Sequence, residues 1–219
     1  HTDHQHGCVL AAAVDMTTTA EVTLNGTNVI RVDSEGYRPV EIELSDLKIR
    51  EEEKNTTAAL IRGVAAAFAQ RGYKLAGFDA KVKSTVLPGS GLSSSAAFEV
   101  LIGRILNGLF ADNAVSAIEI AQIGQYAENV YYGKPSGLMD QMAAAVGNAV
   151  SIDFLCPQAP VVESIPCGVE KWGMSRYGVN SGGSHSDLTE DYAAIPREMQ
   201  EVAACFDCRT LREVAPKCF

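Results

Sequence analysis

Apolar and polar positions in the first part of the chain follow patterns that predict β-strands. Residues 8–14 form a continuous apolar run, which is typical of a buried strand. Later segments alternate with the period of a strand that has one buried face. These segments are residues 20–24, 28–32 and 40–44. Between the first two of them, Asn25-Gly26 predicts a hairpin turn, because both residues tolerate positive φ.

The next part of the chain changes to a period of 3.6 residues, which predicts an amphipathic helix. This helix should span residues 55–71, with Asn55 as its N-cap and Gly72 as its C-terminal stop. We expect its apolar face to pack into the core. The residues on that face are Leu60, Ile61, Val64, Ala67 and Phe68.

Further strands and helices follow in blocks through the rest of the chain. Ser116 and Glu119 have the spacing of a capping box, so a helix should begin there. The remaining predicted elements are a strand over 78–86, a helix that follows a loop and ends near 110, a helix from 116 to about 131, a helix over 138–146, strands over 149–154, 161–165 and 174–179, and a helix over 188–205 that Pro196 interrupts. Strands, then helices, then strands again favour an α+β fold over a doubly wound sheet.

Composition narrows the class of protein. The chain has 219 residues, of which 47% are hydrophobic, enough to bury a sizeable core. Lys and Arg number 18 and Asp and Glu number 27, so the net charge is -9, and neither nucleic acid nor an anionic membrane is an expected partner. No apolar run approaches the roughly 20 residues that span a bilayer, and we find no signal peptide. We therefore expect a cytoplasmic protein and no membrane association.

The six cysteines do not indicate a metal or redox site. Cys205 and Cys208 form a CxxC pair, whereas a zinc site needs a second pair or histidines at ligand spacing. We therefore expect ordinary reduced thiols.

Residues 88–97 read Pro-Gly-Ser-Gly-Leu-Ser-Ser-Ser-Ala-Ala and join a predicted strand to a predicted helix. Gly89 and Gly91 allow the backbone to approach a ligand closely. The helix start presents unpaired N–H groups and the positive end of the helix dipole, which favours an anion. A serine-rich helix cap without a ligand is an equally good interpretation of these residues alone. The chain contains no GxxxxGK[ST] pattern, so the loop is not a Walker loop.

Four segments together resemble the galactokinases, a branch of the GHMP small-molecule kinases. Residues 88–97 resemble the second GHMP motif, and residues 1–7, His-Thr-Asp-His-Gln-His-Gly, resemble the end of the galactokinase signature. Residues 133–141, Gly-Lys-Pro-Ser-Gly-Leu-Met-Asp-Gln, resemble the family segment Gly-x-Pro-x-Gly-Ile-Met-Asp-Gln. Residues 180–192 resemble the later segment with an Asn, a His and a Glu-Tyr pair. The four matches follow the family's order over nearly the whole chain.

The resemblance implies a fold and a reaction. The fold is the GHMP kinase fold, a mixed sheet packed with helices, with an N-terminal ATP-binding domain over 1–165 that lacks its first strand and the beginning of a second α+β domain over 166–219. The reaction is the ATP-dependent phosphorylation of the anomeric hydroxyl of galactose to galactose 1-phosphate. The implied small molecules are galactose, ATP as co-substrate and Mg²⁺, and the protein is expected to be a monomer.

The resemblance also assigns roles to individual residues. Asp140 is the expected general base, and Ser95 and Glu128 are the expected Mg²⁺ ligands. The residues expected to wrap the ATP phosphates are Gly89, Ser90, Gly91, Leu92, Ser93, Ser94 and Ser95. The residues expected to hold the sugar are His1, Asp3, Gly137 and Tyr192.

Each of these residues has a simpler interpretation when it is taken alone. Glu128 continues a polar stripe at a spacing of three residues, so by itself it is more typical of a solvated helix face. That stripe consists of Glu119, Gln122, Gln125 and Glu128. Asp140 alone can stabilise the dipole of its helix. Only the joint pattern favours a catalytic site.

Three other expectations follow from the resemblance. The catalytic Arg and the Glu that precede His1 in the family, and its third, Gly-rich motif, are not found, so we expect a chain that is incomplete at both ends and inactive on its own. A GHMP kinase for N-acetylgalactosamine or another hexose is an alternative, because pocket shape sets specificity. A non-catalytic galactose- and ATP-binding regulator is the other alternative, and the presence of Ser94, Ser95 and Ala96 favours the enzyme.

Overall fold

The computed structural model describes residues 2–87, 89–166, 173, 189–215 and 217. The described chain has the predicted α+β fold. Its strands are β1 (Cys8–Ala12), β2 (Thr18–Leu24), β3 (Val29–Ser34), β4 (Val40–Glu43), β5 (Phe78–Ser84), β6 (Ala149–Asp153) and β7 (Val161–Ile165). Its α-helices are α1 (Thr57–Gln70), α2 (Ser94–Phe110), α3 (Ala117–Tyr126), α4 (Met139–Val146) and α5 (Thr189–Ala204). A π-helical turn (Ala127–Tyr132) continues α3, and short 3₁₀ turns cover Thr2–Gln5, Glu51–Glu53 and Leu211–Glu213.

Most predicted elements are confirmed with ends that differ by only a few residues. The capping box at Ser116 is present, because Ser116 Oγ accepts from the Glu119 N–H and the Glu119 carboxylate accepts from the Ser116 N–H. The helix predicted around Pro196 is α5, with that proline inside it. The strand predicted over 174–179 lies outside the described residues.

The two sheets correct the predicted hairpin between the first alternating strands. One sheet has the order β2-β5-β3-β4 and the other has the order β1-β6-β7, so β5 lies between β2 and β3. The loop at Asn25 is wide enough to admit the chain before β5, since the Gly77 N–H donates to the Thr27 carbonyl at 2.8 Å. A Cβ at Gly77 would lie 2.5 Å from the Val29 carbonyl oxygen. Strand β5, which is distant in sequence, therefore pairs with both β2 and β3 and replaces the predicted pairing between them.

Helix α1 confirms the predicted core face and corrects the predicted cap. All five residues predicted on its apolar face are buried. Gly72 follows the helix with φ of 87°, as a C-terminal stop requires. The N-cap position, however, is Thr56, because Asn55 adopts a left-handed backbone with φ of 60° and donates its N–H to the Tyr132 carbonyl.

Strand β1 is present, but the prediction that it is buried is wrong for the described structure. Val9 and Ala11 pack against the core, whereas Leu10 between them is 75% exposed. The strand lies at an edge of its sheet, where only one of its faces packs against α4. A continuous apolar run therefore does not distinguish a strand buried on both faces from one buried on a single face.

The helices pack against the sheets and against one another, and this packing brings the ends of three helices together. Helix α2 contacts α1, α3 and α4, and α4 also contacts β1 and β6. Fully buried Leu106, Ile120 and Met142 join α2, α3 and α4. The loop before α2, the end of α3 and the start of α4 therefore meet at one side of the core. Within the described residues, no helix is both long enough and apolar enough to cross a membrane.

Candidate active site

The loop between β5 and α2 has a backbone suited to an anion. Gly89, Gly91 and Ser93 have positive φ values of 70°, 77° and 54°, whereas the residues between them do not. Alternation in the sign of φ turns successive N–H groups toward one side, which forms an anion-binding concavity. The Ala97 N–H makes the first helical bond, to the Ser93 carbonyl at 3.1 Å. The N–H groups of Ser94, Ser95 and Ala96, which precede it in the first turn of α2, therefore have no partner in a preceding turn and can bind a phosphate.

Asp140 lies against this loop. Ser93 Oγ donates a hydrogen bond to Asp140 Oδ2, and Asp140 itself is exposed. Packing of α2 against α4 brings the loop to the first turn of α4, where Asp140 is located. The residue predicted as the base is thus accessible to solvent at the predicted phosphate site.

Glu128, in the π-helical turn that follows α3, contacts the first turn of α2 next to this loop. Ser95 Oγ donates to Glu128 Oε1 at 3.1 Å, and Glu128 is 2% exposed. The polar stripe of α3 predicts an exposed side chain here, but Glu128 also lies four residues after Gly124 and seven after Ala121, and both of these are buried. Glu128 therefore lies on the packed side of the helix. Close packing of α1 against the π-helical turn requires Gly63, because a Cβ there would lie 2.8 Å from the Ala127 Cβ.

Ser95 and Glu128 fit the requirements of Mg²⁺. Two oxygens at adjacent corners of an octahedral Mg²⁺ site lie about 3 Å apart, since each is about 2.1 Å from the ion. The observed separation of Ser95 Oγ and Glu128 Oε1 is 3.1 Å. No cluster of three or more His, Cys, Asp or Glu ligands occurs in the described part of the chain. A site with two protein oxygens is typical of Mg²⁺ that is also held by nucleotide phosphates.

A second carboxyl group, Glu99, is buried behind Glu128. Gln141 Nε2 donates to Glu99 Oε2 at 3.1 Å and to Glu128 Oε2 at 2.8 Å, which leaves Glu128 Oε1 directed toward Ser95. Burial, together with the negative charge of Glu128, raises the pKa of Glu99 well above its ordinary value. The Glu99 carboxyl group therefore holds its proton to a higher pH than an ordinary glutamate does.

Replacing Glu99 with Gln is expected to flatten the pH dependence of stability. Because the pKa of Glu99 is higher in the folded than in the unfolded state, its contribution to stability is complete below about pH 4.5 and is lost as pH rises through the folded pKa. Glutamine does not titrate, so Glu99→Gln should not lose stability for this reason as the pH rises. Urea unfolding midpoints measured from pH 5 to 8 check this, and parallel profiles for the wild type and the variant contradict it.

Asp3 lies over the start of α4, close to Gly137. Asp3 Oδ2 accepts a hydrogen bond from the Met139 N–H at 3.4 Å, and Asp3 Oδ1 accepts one from the His4 N–H at 3.1 Å. A Cβ at Gly137 would collide with Asp3 Oδ2, so this approach requires glycine. Two of the predicted sugar residues are thus in contact, at the helix end that bears Asp140. Neither His1 nor the side chain of Tyr192, which belongs to α5, is among the described parts of the structure.

A cavity of about 380 Å³ lies beside the N-terminus of α2. Ser94 and Ser95 line its end nearest the phosphate loop, and Ser34, Asn55 and Thr57 supply further polar groups. Most of the remaining lining is apolar or aromatic and suits a flat heterocycle. These lining residues include Leu60, Val82, Val86, Leu87, Phe98 and Tyr132.

Three residues of this site were not among the sequence predictions. Gln141 follows Asp140 in the resembling segment, and that position is the signal that points to it. Glu99 lies among apolar neighbours in α2, so periodicity gives no sign that it faces Glu128. The Lys134 ammonium group lies 3.3 Å from the Glu128 carboxylate. The position of Lys134 in a turn does not indicate this contact from the sequence.

Comparison with known proteins relates this chain to the GHMP kinases. Residues 59–148 match the sequence profile of the GHMP kinases N terminal domain. The chain is 33% identical over 216 residues to the galactokinase of Streptomyces coelicolor, covering 98% of this chain and 55% of that protein. It is 36% identical over 149 residues to the galactokinase of Bacillus subtilis, covering 67% of this chain and 38% of that protein. The chain thus spans about half the length, or less, of these curated relatives.

A solved structure extends the comparison to the fold. The crystal structure of the Lactococcus lactis galactokinase complexed with galactose superposes with a TM-score of 0.78 at 25% identity and covers 99% of this chain and 57% of the other. The superposition therefore includes both sheets and the helices that bear the phosphate loop and its carboxylates. Sequence profile, relatives and fold agree, and residues 59–148 form a GHMP kinase N-terminal domain.

Proposed function

We propose that the protein to which this chain belongs is a galactokinase, which transfers the γ-phosphoryl group of ATP to the anomeric hydroxyl of galactose. The observation that carries the proposal is that two serines of one phosphate loop bond two different carboxylates. Ser95 bonds Glu128, and Ser93 bonds Asp140. These contacts support the proposal that a metal ligand, Glu128, and a proton acceptor, Asp140, act side by side at one anion site. Similarity to the galactokinases of Streptomyces coelicolor and Bacillus subtilis supports galactose as the acceptor.

ATP is proposed to lie along the loop, with its base in the adjoining cavity. Free N–H groups within residues 89–95 bind the phosphate oxygens, and the cavity of about 380 Å³ takes the nucleoside. The Ser90 N–H is not one of these groups, because it donates to the Leu87 carbonyl at 3.3 Å. Bound at Ser95 and Glu128, Mg²⁺ supplies positive charge that neutralises the phosphates during transfer. Gln141 fixes the Glu128 carboxylate so that Oε1 faces the loop.

Asp140 is proposed to accept the proton of the anomeric hydroxyl. As that proton leaves, the hydroxyl oxygen forms a bond to the γ-phosphorus, and the bond from this phosphorus to the β,γ-bridging oxygen breaks, so that ADP leaves. Asp3 accepts hydrogen bonds from sugar hydroxyls, and Gly137 leaves room for it. By resemblance, His1 and Tyr192 complete the sugar site.

The proposal extends to the organisation of the chain. Residues 1–165 are proposed to form the ATP-binding domain and residues 166–219 to begin the second domain of a monomeric, cytoplasmic enzyme. Because the curated relatives are about twice as long as the matched region, residues 1–219 alone are proposed to lack turnover.

The test is a coupled assay of ADP formation by the full-length protein with a panel of hexoses. We expect galactose-dependent turnover, much weaker activity with N-acetylgalactosamine and other hexoses, and none from residues 1–219 alone. Preference for another hexose would indicate a different sugar kinase. Binding of galactose and ATP by the full-length protein without ADP formation would indicate a regulator. Turnover by residues 1–219 would contradict the proposal that this part is inactive.

A further inference from the structure

Lys134 contacts the candidate metal site, and the proposed reaction assigns it no role. Its Nζ lies 3.3 Å from Glu128 Oε1, the oxygen that also accepts the hydrogen bond from Ser95 Oγ. The ammonium group and the serine hydroxyl therefore share the oxygen that would bind Mg²⁺. The carboxylate is almost fully buried, with its side chain 3% exposed, whereas the Lys134 side chain is 36% exposed.

The backbone holds Lys134 at this place. Gly133 ends the π-helical turn with φ of 89°, a left-handed conformation that favours glycine. The N–H groups of Gly133 and Lys134 both donate to the main-chain carbonyl of Glu128, at 3.0 and 3.1 Å. Lys134 is thus attached to the residue whose side chain it neutralises, and its flexible stem allows Nζ to move between Glu128 and solvent.

Charge explains why the lysine is favourable here when no metal is bound. A buried carboxylate is unstable without a cation or other compensating partner. Burial alone would lower the pKa of Lys134, but the charge of Glu128 and the hydrogen bond to it raise this pKa on balance. When Mg²⁺ binds Oε1, the ammonium group and the metal become two cations that share one oxygen, and they repel each other.

We propose that Lys134 is a tethered cation that neutralises Glu128 in the metal-free protein and that the metal must displace. This inference rests on the proposed Mg²⁺ site at Ser95 and Glu128. Lys134 therefore weakens metal binding and stabilises the protein without metal, and it is a determinant of metal affinity rather than a catalytic residue. When Mg²⁺ and ATP are both bound, the metal supplies the positive charge that Lys134 had supplied to Glu128. The lysine is then released from the carboxylate.

The test uses residues 1–219 and Mn²⁺ alone as the probe, with bound metal measured by the loss of the free-Mn²⁺ electron paramagnetic resonance signal. Lys134→Met is expected to bind Mn²⁺ about tenfold more tightly, the effect of removing a cation about 5 Å from the metal in water-like surroundings. Lys134→Arg keeps a cation and should bind like the wild type. Lys81→Met makes the same charge change on an exposed strand residue and should also bind like the wild type.

A second measurement separates this role from a general effect of charge. Without metal, Lys134→Met should unfold several degrees lower than the wild type, whereas saturating Mn²⁺ should raise its unfolding temperature by more than that of the wild type. If Lys134→Met does not fold, Lys134→Gln serves instead, because its amide still donates to Glu128. Unchanged or weaker Mn²⁺ binding by the variant, or no binding by any of these proteins, overturns the proposal.

The proposed metal site has its own control. Glu128→Gln should lose Mn²⁺ binding, so equal binding by Glu128→Gln and the wild type would place the metal elsewhere and contradict the site itself. If Glu128→Gln loses Mn²⁺ while Lys134→Met gains nothing, the metal site stands and only the role of Lys134 is wrong.

Discussion

Replacing Asp140 with Asn is expected to lower phosphoryl transfer to galactose by about 10²- to 10⁴-fold, the range for losing a general base. Asparagine has the same shape, and its carbonyl can still accept from Ser93 Oγ, so the loop should keep its conformation. It does not take up the proton of the sugar hydroxyl. Two quantities of the full-length protein are measured, kcat and the dissociation constant for MgATP. The dissociation constant should remain near that of the wild type.

Ser93→Ala is the matched control for this variant. It removes the hydrogen bond to Asp140 but keeps the carboxylate, so it should reduce kcat far less than Asp140→Asn does. Equal losses in the two variants would mean that Asp140 acts by holding the loop. Undiminished turnover by Asp140→Asn would show that the proton goes to another group.

Replacing Glu128 with Gln is expected to weaken the binding of MgATP by about 100-fold or more. Loss of a residue that only hydrogen-bonds a metal ligand already costs about ten- to 100-fold in metal affinity, and loss of the ligand itself should cost no less. A neutral amide is a poor ligand for a hard cation. Glutamine retains the size of the buried side chain and can still accept a hydrogen bond from Gln141, so the fold should persist. Titration of a fluorescent ATP analogue with and without Mg²⁺ measures the change.

Glu119→Gln is the control for that substitution. It makes the same chemical change at the exposed start of α3, where glutamine also suits a capping box. Mg²⁺ should strengthen nucleotide binding by this variant as it does for the wild type. If Mg²⁺ strengthened binding equally in Glu128→Gln, the assignment of Glu128 as a metal ligand would be wrong.

Local signals in the sequence predicted the elements that depend on neighbouring residues. The capping box at Ser116, the stop at Gly72 and the core face of α1 all follow from residues within one or two turns. Asn55 failed as a cap because its N–H bonds Tyr132, which is distant in sequence. The hairpin at Asn25 failed for the same reason, because β5 provides better partners for both strands than they provide for each other.

The candidate site was predictable where a motif spans it and unpredictable where packing creates it. Ser95 and Asp140 come from segments that resemble the family. Glu128 lies between a polar stripe at a spacing of three residues and the buried positions Ala121 and Gly124, so the sequence pattern alone does not decide whether it is buried. The link from Glu99 through Gln141 to Glu128 joins three separate helical segments, and only the packed structure brings them together.

The position of β5 also affects the order in which this chain can fold during synthesis. Thr18 and Ser84 are bonded partners 66 residues apart, whereas β3 and β4 form a local pair that can close as soon as they leave the ribosome. Pairing over such separations is slow, because a long loop must close before any contact compensates for its entropy. The proposed phosphate loop follows β5 directly, so it can be anchored to the four-stranded sheet only after that sheet has closed. Nucleotide binding would then distinguish chains that have completed this step from those that have not.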